Sequence, residues 1–312
     1  MNIVFMGTPQ FAVPSLEMLI EEGYRVAGVV TQPDRPQGRK KILTPTPVKE
    51  AALKHGIPVL QPQRMRAPEA VAEVVALKPD LIVTAAYGQI LPKAVLELPK
   101  FGCLNVHGSL LPKYRGGAPI QRAIINGEKD TGITLMYMAE GLDTGDMIAK
   151  TVVPIEADDT SGSVFEKLSV AGAQLLREQL PLILEGRADR IPQNDAESTY
   201  APNLSRDDEK IDWSADSESI RNRVRGLLPF AGGFTLWNGA VFKVWEVKKC
   251  EPSGKRDGQA PGTVVGLSDK GIEVQTGDGS VLLTRIQPAG KKAMDASEFL
   301  RGGQMKPGEV LS

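Results

Sequence analysis

Ile3-Val4-Phe5-Met6-Gly7, a helical period over 14–22, then Val26-Ala27-Gly28-Val29-Val30: this opening decides the fold. An unbroken apolar run of strand length reads as a strand buried on both faces, and two such runs around a helix make a βαβ unit. The pattern continues outward. After Pro45-Thr46-Pro47 come a helix over 48–55, a strand at Val59-Leu60, a helix over 68–77 and a strand Leu81-Ile82-Val83-Thr84-Ala85. Strands alternating with helices imply an α/β domain with a mostly parallel sheet, whose ligand sites lie outside the carboxyl ends of the strands. Gly7-Thr8-Pro9, Tyr87-Gly88-Gln89 and His107-Gly108-Ser109 sit at such ends. The first lacks the three-glycine dinucleotide fingerprint and no P-loop occurs, so neither NAD nor ATP is implied.

One strand end carries chemistry. In an extended Leu104-Asn105-Val106-His107, Asn105 and His107 share one face while Leu104 and Val106 pack on the other. Imidazole shuttles protons near neutral pH, and an adjacent amide suits an oxygen that becomes negative in a transition state. Asp143, in Glu140-Gly141-Leu142-Asp143-Thr144-Gly145-Asp146, is the candidate to orient the histidine, because flanking glycines let the loop bend tightly. By spacing alone, the same residues also read as a satisfied structural histidine and a turn-forming aspartate.

The chain has 312 residues, 41% hydrophobic and 24% charged, which is ordinary for a soluble protein and long enough for two cores. No apolar run approaches a membrane span and the start has no signal-peptide pattern, so a cytoplasmic protein is expected, most simply a monomer. Cys103 and Cys250 match no metal spacing and read as packing residues. His55 has no histidine near it, so no metal is expected. A net charge of −1 means that any nucleic-acid contact must come from local patches. One candidate is Arg35-Pro36-Gln37-Gly38-Arg39-Lys40-Lys41, read either as a solvated loop or as a phosphate contact.

Beyond Asp143, a strand over 147–155, a helix capped by Thr160-Ser161-Gly162-Ser163 and running to about 184, and a polar stretch are expected. A short helix over 217–227 then precedes alternating strands, including Gly233-Phe234-Thr235-Leu236-Trp237 and a glycine-turned hairpin over 271–283. Short strands in this number suggest a small barrel. The expected division is 1–188, a linker over 189–205, and 206–312.

Several long motifs resemble the folate-dependent formyltransferases. They are Asn105-Val106-His107-Gly108-Ser109-Leu110-Leu111-Pro112, Tyr114-Arg115-Gly116-Gly117-Ala118-Pro119-Ile120-Gln121 and Gly141-Leu142-Asp143-Thr144-Gly145-Asp146. The resemblance extends to Ala86-Tyr87-Gly88-Gln89-Ile90-Leu91-Pro92, Thr31-Gln32-Pro33-Asp34-Arg35-Pro36 and Gln287-Pro288-Ala289-Gly290-Lys291-Lys292-Ala293-Met294. It implies a Rossmann-like catalytic domain followed by a smaller OB-like barrel that binds tRNA. It also implies formyl transfer from 10-formyltetrahydrofolate to the amino group of methionyl initiator tRNA.

Under that resemblance Asn105, His107 and Asp143 are the catalytic residues. Ser109, Leu110, Leu111 and Pro112, with Tyr87, Gly88, Gln89, Ile90 and Leu91, would contact the folate, although the apolar members also read as core. Arg39, Lys40 and Lys41 would contact tRNA. The family loop generally reads Gly-Arg-Gly-Lys-Lys-Leu, whereas this chain reads Gly38-Arg39-Lys40-Lys41-Ile42-Leu43. The alternatives are a formyltransferase acting on an amino sugar nucleotide or purine precursor, and a non-catalytic folate-responsive RNA-binding protein. From 206 onward, cations and anions nearly balance, so Lys243, Lys248, Lys249, Lys291 and Lys292 read either as a converging RNA face or as scattered solubilising charge.

Overall fold

The computed structural model describes residues 1–38, 40–250 and 259–312. In chain order the elements begin β1 (Ile3–Gly7), α1 (Val13–Glu21), β2 (Val26–Val30), β3 (Arg35–Gln37), β4 (Ile42–Thr44), α2 (Pro47–Lys54), β5 (Val59–Leu60) and α3 (Pro68–Ala76). They continue with β6 (Leu81–Ala85), α4 (Lys93–Leu96), β7 (Cys103–His107), α5 (Pro119–Ile125), β8 (Asp130–Tyr137), β9 (Met147–Pro154) and α6 (Ser161–Leu184). The rest are α7 (Ser217–Leu227), β10 (Gly233–Trp237), β11 (Ala240–Lys249), β12 (Val264–Ser268), β13 (Gly271–Gln275), β14 (Ser280–Gln287), β15 (Met294–Asp295) and α8 (Ala296–Leu300).

The chain divides into two compact units. The first comprises Met1–Pro119, Asp130–Pro154 and Phe165–Pro202; the second comprises Ile120–Lys129, Ile155–Val164 and Asn203–Ser312. The first is built on a seven-stranded sheet of order β5-β2-β1-β6-β7-β8-β9. Its strands from β5 to β7 are parallel, whereas β8 and β9 run antiparallel to their neighbours. Every residue of β1 and β6 is buried, as a central strand covered on both faces requires. Local signals set the helix starts: Thr46 accepts a hydrogen bond from the Lys49 amide at 3.1 Å, and Pro47 opens α2 with its φ already helical.

Register brings the strand ends together, with Gly7 opposite Ala85 and Thr84 opposite Asn105. A side chain at Gly7 would lie 2.7 Å from the Ala12 Cβ, so only glycine fits where the chain leaves β1. The segment expected as a loop, solvated or phosphate-contacting, instead contributes residues 35–37 to a hairpin in which β3 and β4 pair antiparallel. Ile42 and Leu43 are 62% and 64% exposed on it. Arg39 lies outside the described residues.

Residues 189–205, expected as a linker, are tied into the first unit as far as 202. Ile191 and Met147 exchange backbone hydrogen bonds of 2.8 and 2.9 Å, and the Arg115 amide donates to the Thr199 carbonyl at 2.8 Å. A polar composition reads as loop, but it also supplies side chains that bind backbone.

The second unit is an antiparallel sheet of order β10-β11-β14-β13-β12, with β15 beside β14. The strands alone do not close into a barrel. Residues at the end of the chain reach both sheet edges: Val264 N donates to Glu309 O at 2.8 Å, and Leu236 N donates to Ser312 O at 2.7 Å. The arrangement is compatible with an OB-like barrel. Trp237, Phe242 and Phe299 meet edge to face with ring centroids 5.5–5.8 Å apart, and the Trp213 indole donates to Thr235 Oγ1 at 3.0 Å. Among the described residues no helix is long and apolar enough to cross a membrane.

Candidate active site

Strand β7 presents Asn105 and His107 on one face while Leu104 and Val106 are buried on the other. The Thr84 hydroxyl donates to Asn105 Oδ1 at 2.8 Å. With Oδ1 turned to Thr84, Nδ2 has no protein partner among the described residues and is free to donate. His107 is 6% exposed. Its Nε2 lies 3.1 Å from the Tyr114 carbonyl oxygen, an acceptor only, so Nε2 carries a hydrogen there. Nδ1 is then the nitrogen on the aspartate side, 3.7 Å from Asp143 Oδ2. The same carboxylate oxygen accepts from the Gly116 amide at 2.8 Å. An amide donor, an imidazole and a carboxylate therefore converge at one strand end.

Asp143 stands at φ +51°, in the left-handed region that non-glycine residues seldom occupy. Its loop is held by Gln193, whose Nε2 donates to Asp143 O at 2.7 Å and Gly145 O at 2.8 Å. Gln193 Oε1 accepts from Arg115 Nε and Nη2 at 3.1 and 2.8 Å, and Arg115 is 2% exposed. Sequence reasoning placed Arg115 only within a motif and missed Gln193. A buried arginine needs acceptors, but nothing in sequence spacing points 78 residues ahead to this one.

The segment expected to contact folate is divided. Leu91 and Leu111 are core residues, 4% and 0% exposed, with Leu111 packed on Met136 and Met147. Ile90 is 84% exposed. Ser109 is buried and its hydroxyl donates at 2.7 Å to the Lys113 carbonyl. Leu110 is half-buried, and the Leu111-Pro112 peptide is cis. Gly88 adopts φ +87°, and the preceding Tyr87 carbonyl accepts from Thr8 Oγ1 and Gln32 Nε2. Gln89 is fully used by protein, bonding Met65 N at 2.7 Å and Pro62 O at 3.0 Å. The Tyr87 hydroxyl is buried without a partner among the described residues, and burial pushes it up to about 12. Burial likewise pushes the Cys103 thiol up to about 12, which leaves it inert as a nucleophile.

Lys40 and Lys41 are exposed at the tip of the β3–β4 hairpin. Lys249 pairs with Glu218 at 2.5 Å, whereas Lys243 donates to the neutral Ala231 carbonyl and keeps its charge uncompensated by that contact.

A family model described as formyl transferase matches residues 1–180, and one for the formyl transferase C-terminal domain matches 203–304. A methionyl-tRNA formyltransferase from Halalkalibacterium halodurans is 55% identical, covering 100% of this chain and 98% of that protein. One from Bacillus subtilis is also 55% identical, over 99% and 97%. The chain belongs to the methionyl-tRNA formyltransferase family.

Solved structures share the fold of this family member at lower identity. The sugar 3N-formyl transferase WlaRD superposes with a TM-score of 0.66 at 19% identity, over 94% of this chain and 99% of that one. HypX from Aquifex aeolicus, in complex with tetrahydrofolic acid, matches with a TM-score of 0.64 at 20% identity, and the chain spans only 46% of its length.

Proposed function

We infer that this protein transfers the formyl group of 10-formyltetrahydrofolate to the amino group of methionyl initiator tRNA. The observation that carries the reading is 55% identity to methionyl-tRNA formyltransferases across both units, with Asn105, His107 and Asp143 gathered at one strand end. The identity to the methionyl-tRNA formyltransferases extends through the second unit as well as the first.

The reaction forms a bond from the amine nitrogen to the formyl carbon and breaks the bond from that carbon to folate N10. The amine loses a proton, the carbonyl oxygen becomes negative, and the departing nitrogen gains a proton. Asn105 Nδ2 donates to the developing oxyanion, as its unshared hydrogens allow. Protonated His107, whose Nε2 hydrogen rests on the Tyr114 carbonyl, offers its Nδ1 hydrogen as second donor and proton carrier. Asp143, 3.7 Å from Nδ1, stabilises the imidazolium charge and takes part in the transfer. The chemistry requires no covalent enzyme intermediate, in keeping with the buried thiol of Cys103.

The turn at Tyr87-Gly88-Gln89 and the segment 109–112 border the folate. There Gly88 permits close backbone approach and Leu110 offers apolar surface. Lys40 and Lys41, with Arg39, contact acceptor-arm phosphates, and the exposed Ile42 and Leu43 lie next to them. The protein works in the cytoplasm, as a monomer.

The test is an acceptor panel with 10-formyltetrahydrofolate as donor: methionyl initiator tRNA, uncharged tRNA, free methionine and an amino sugar nucleotide. Transfer to the charged tRNA alone is expected. Transfer to the sugar nucleotide instead would replace this reading, and folate binding with no transfer to any acceptor would defeat it.

A further inference from the structure

We infer that Gln193, oriented by Arg115, is a positioning residue of the transfer site: it sets the loop that carries Asp143. The inference rests on the formyl-transfer reading above. Asp143 holds a left-handed conformation that residues other than glycine seldom adopt and that needs support from the surrounding structure. Gln193 supplies that support by donating both amide hydrogens, one to the Asp143 carbonyl at 2.7 Å and one to the Gly145 carbonyl at 2.8 Å.

The amide cannot turn round. Arginine only donates, so the two contacts from Arg115 require the oxygen of Gln193 to face the guanidinium and the nitrogen to face the loop. Arg115 is itself buried and fixed by Asp195 at 2.7 Å. Neighbours on the same segment brace the same loop. Arg190 lies 3.5 Å from Asp146 and stacks 4.1 Å over the Tyr137 ring, and Ile191 pairs with Met147.

Further along, the segment supports the histidine side. Thr199 Oγ1 accepts from Tyr114 N at 2.9 Å, and Ala201 N donates to Arg115 O at 2.7 Å. Tyr114 O is the partner of His107, and Gly116 N is the partner of Asp143. Residues 190–201 thus support both the carboxylate and the imidazole, and Gln193 grips the Asp143 loop directly by its backbone.

Gln193→Glu is the informative variant, because a carboxylate keeps the Arg115 contact yet presents only acceptors to the two loop carbonyls. Gln193→Met, of similar length and uncharged, guards against an effect of the new charge. Both are expected to lower kcat about 10- to 100-fold with KM for either substrate within about twofold, since displacement on the order of 1 Å costs about that much. Combined with Asp143→Ala, neither should reduce the residual rate further, because Gln193 acts through Asp143. Hydrogen exchange of the Gly116 amide, which bonds Asp143, should quicken about tenfold or more in both variants. Wild-type kcat with unchanged Gly116 exchange, or a loss fully additive with that of Asp143→Ala, overturns the inference. A wild-type protein that transfers no formyl group would defeat the functional reading alone, because Gly116 exchange still tests the brace.

Discussion

Gly145→Ala tests how closely the loop geometry governs the chemistry. A Cβ built on Gly145 lies 1.8 Å from the Tyr137 carbonyl oxygen, whereas real Cβ atoms essentially never approach below 3.0 Å. Relief requires about 1.2 Å of movement, and Tyr137 is anchored in β8, so the loop must give way. That shift displaces Gly145 O, and with it Asp143, from the positions in which both accept from Gln193 Nε2. Losing those two hydrogen bonds costs roughly 1–3 kcal/mol in all. The larger effect falls on turnover: a displacement of about 1 Å at Asp143 lowers kcat by about 100-fold, while binding of folate and tRNA persists. Single-turnover formyl transfer, with thermal unfolding and folate binding measured in parallel, separates these effects. A variant with lowered Tm but wild-type kcat would refute the reasoning, because the loop would then have moved without disturbing the chemistry.

Tyr87→Phe removes a buried hydroxyl that has no partner among the described residues, so stability should hold or rise by about 1 kcal/mol in thermal unfolding. If KM for 10-formyltetrahydrofolate also stays unchanged, Tyr87 leaves the set of folate-contacting residues. Replacing Arg39, Lys40 and Lys41 together by alanine should weaken methionyl-tRNA use about 10-fold or more and flatten its salt dependence, with folate binding intact; an unchanged KM for tRNA would remove the hairpin from recognition. In the second unit, the Ser219 hydroxyl and amide hold the Asp216 carboxyl below its ordinary value of 3.8. Because the folded value is the lower one, Asp216 stabilises the fold at neutral pH, and that contribution is lost as pH falls below about 4. Asp216→Ala should cost about 1 kcal/mol at pH 7 and much less at pH 3, followed by denaturant unfolding.

Much of the parallel sheet was legible because its strands are unbroken apolar runs separated by helical periods, and β1, β2, β6 and β7 fall at or within a residue of their expected places. The pairing of Asn105 with His107 followed from strand alternation. Other features depend on contacts distant in sequence. The β3–β4 hairpin has too few alternating residues to register as strands, and its pairing shows only in three dimensions. Residues 189–205 read as a linker because they are polar, yet within them Gln193 serves the Asp143 loop. Leu91 and Leu111 read as folate-contacting or core residues and turn into the core, a distinction that apolar identity does not carry. The second unit's strands were largely visible, whereas the use of its last residues to reach both sheet edges was not.

The central claim is that the amide, imidazole and carboxylate at the end of β7 perform formyl transfer to methionyl-tRNA. The most direct measurement compares single-turnover transfer from 10-formyltetrahydrofolate by the wild type, His107→Ala and Asp143→Ala, each confirmed as folded by circular dichroism. Rapid transfer by the wild type and losses of at least about 100-fold in each variant are expected. Near-wild-type rates in either would contradict that claim.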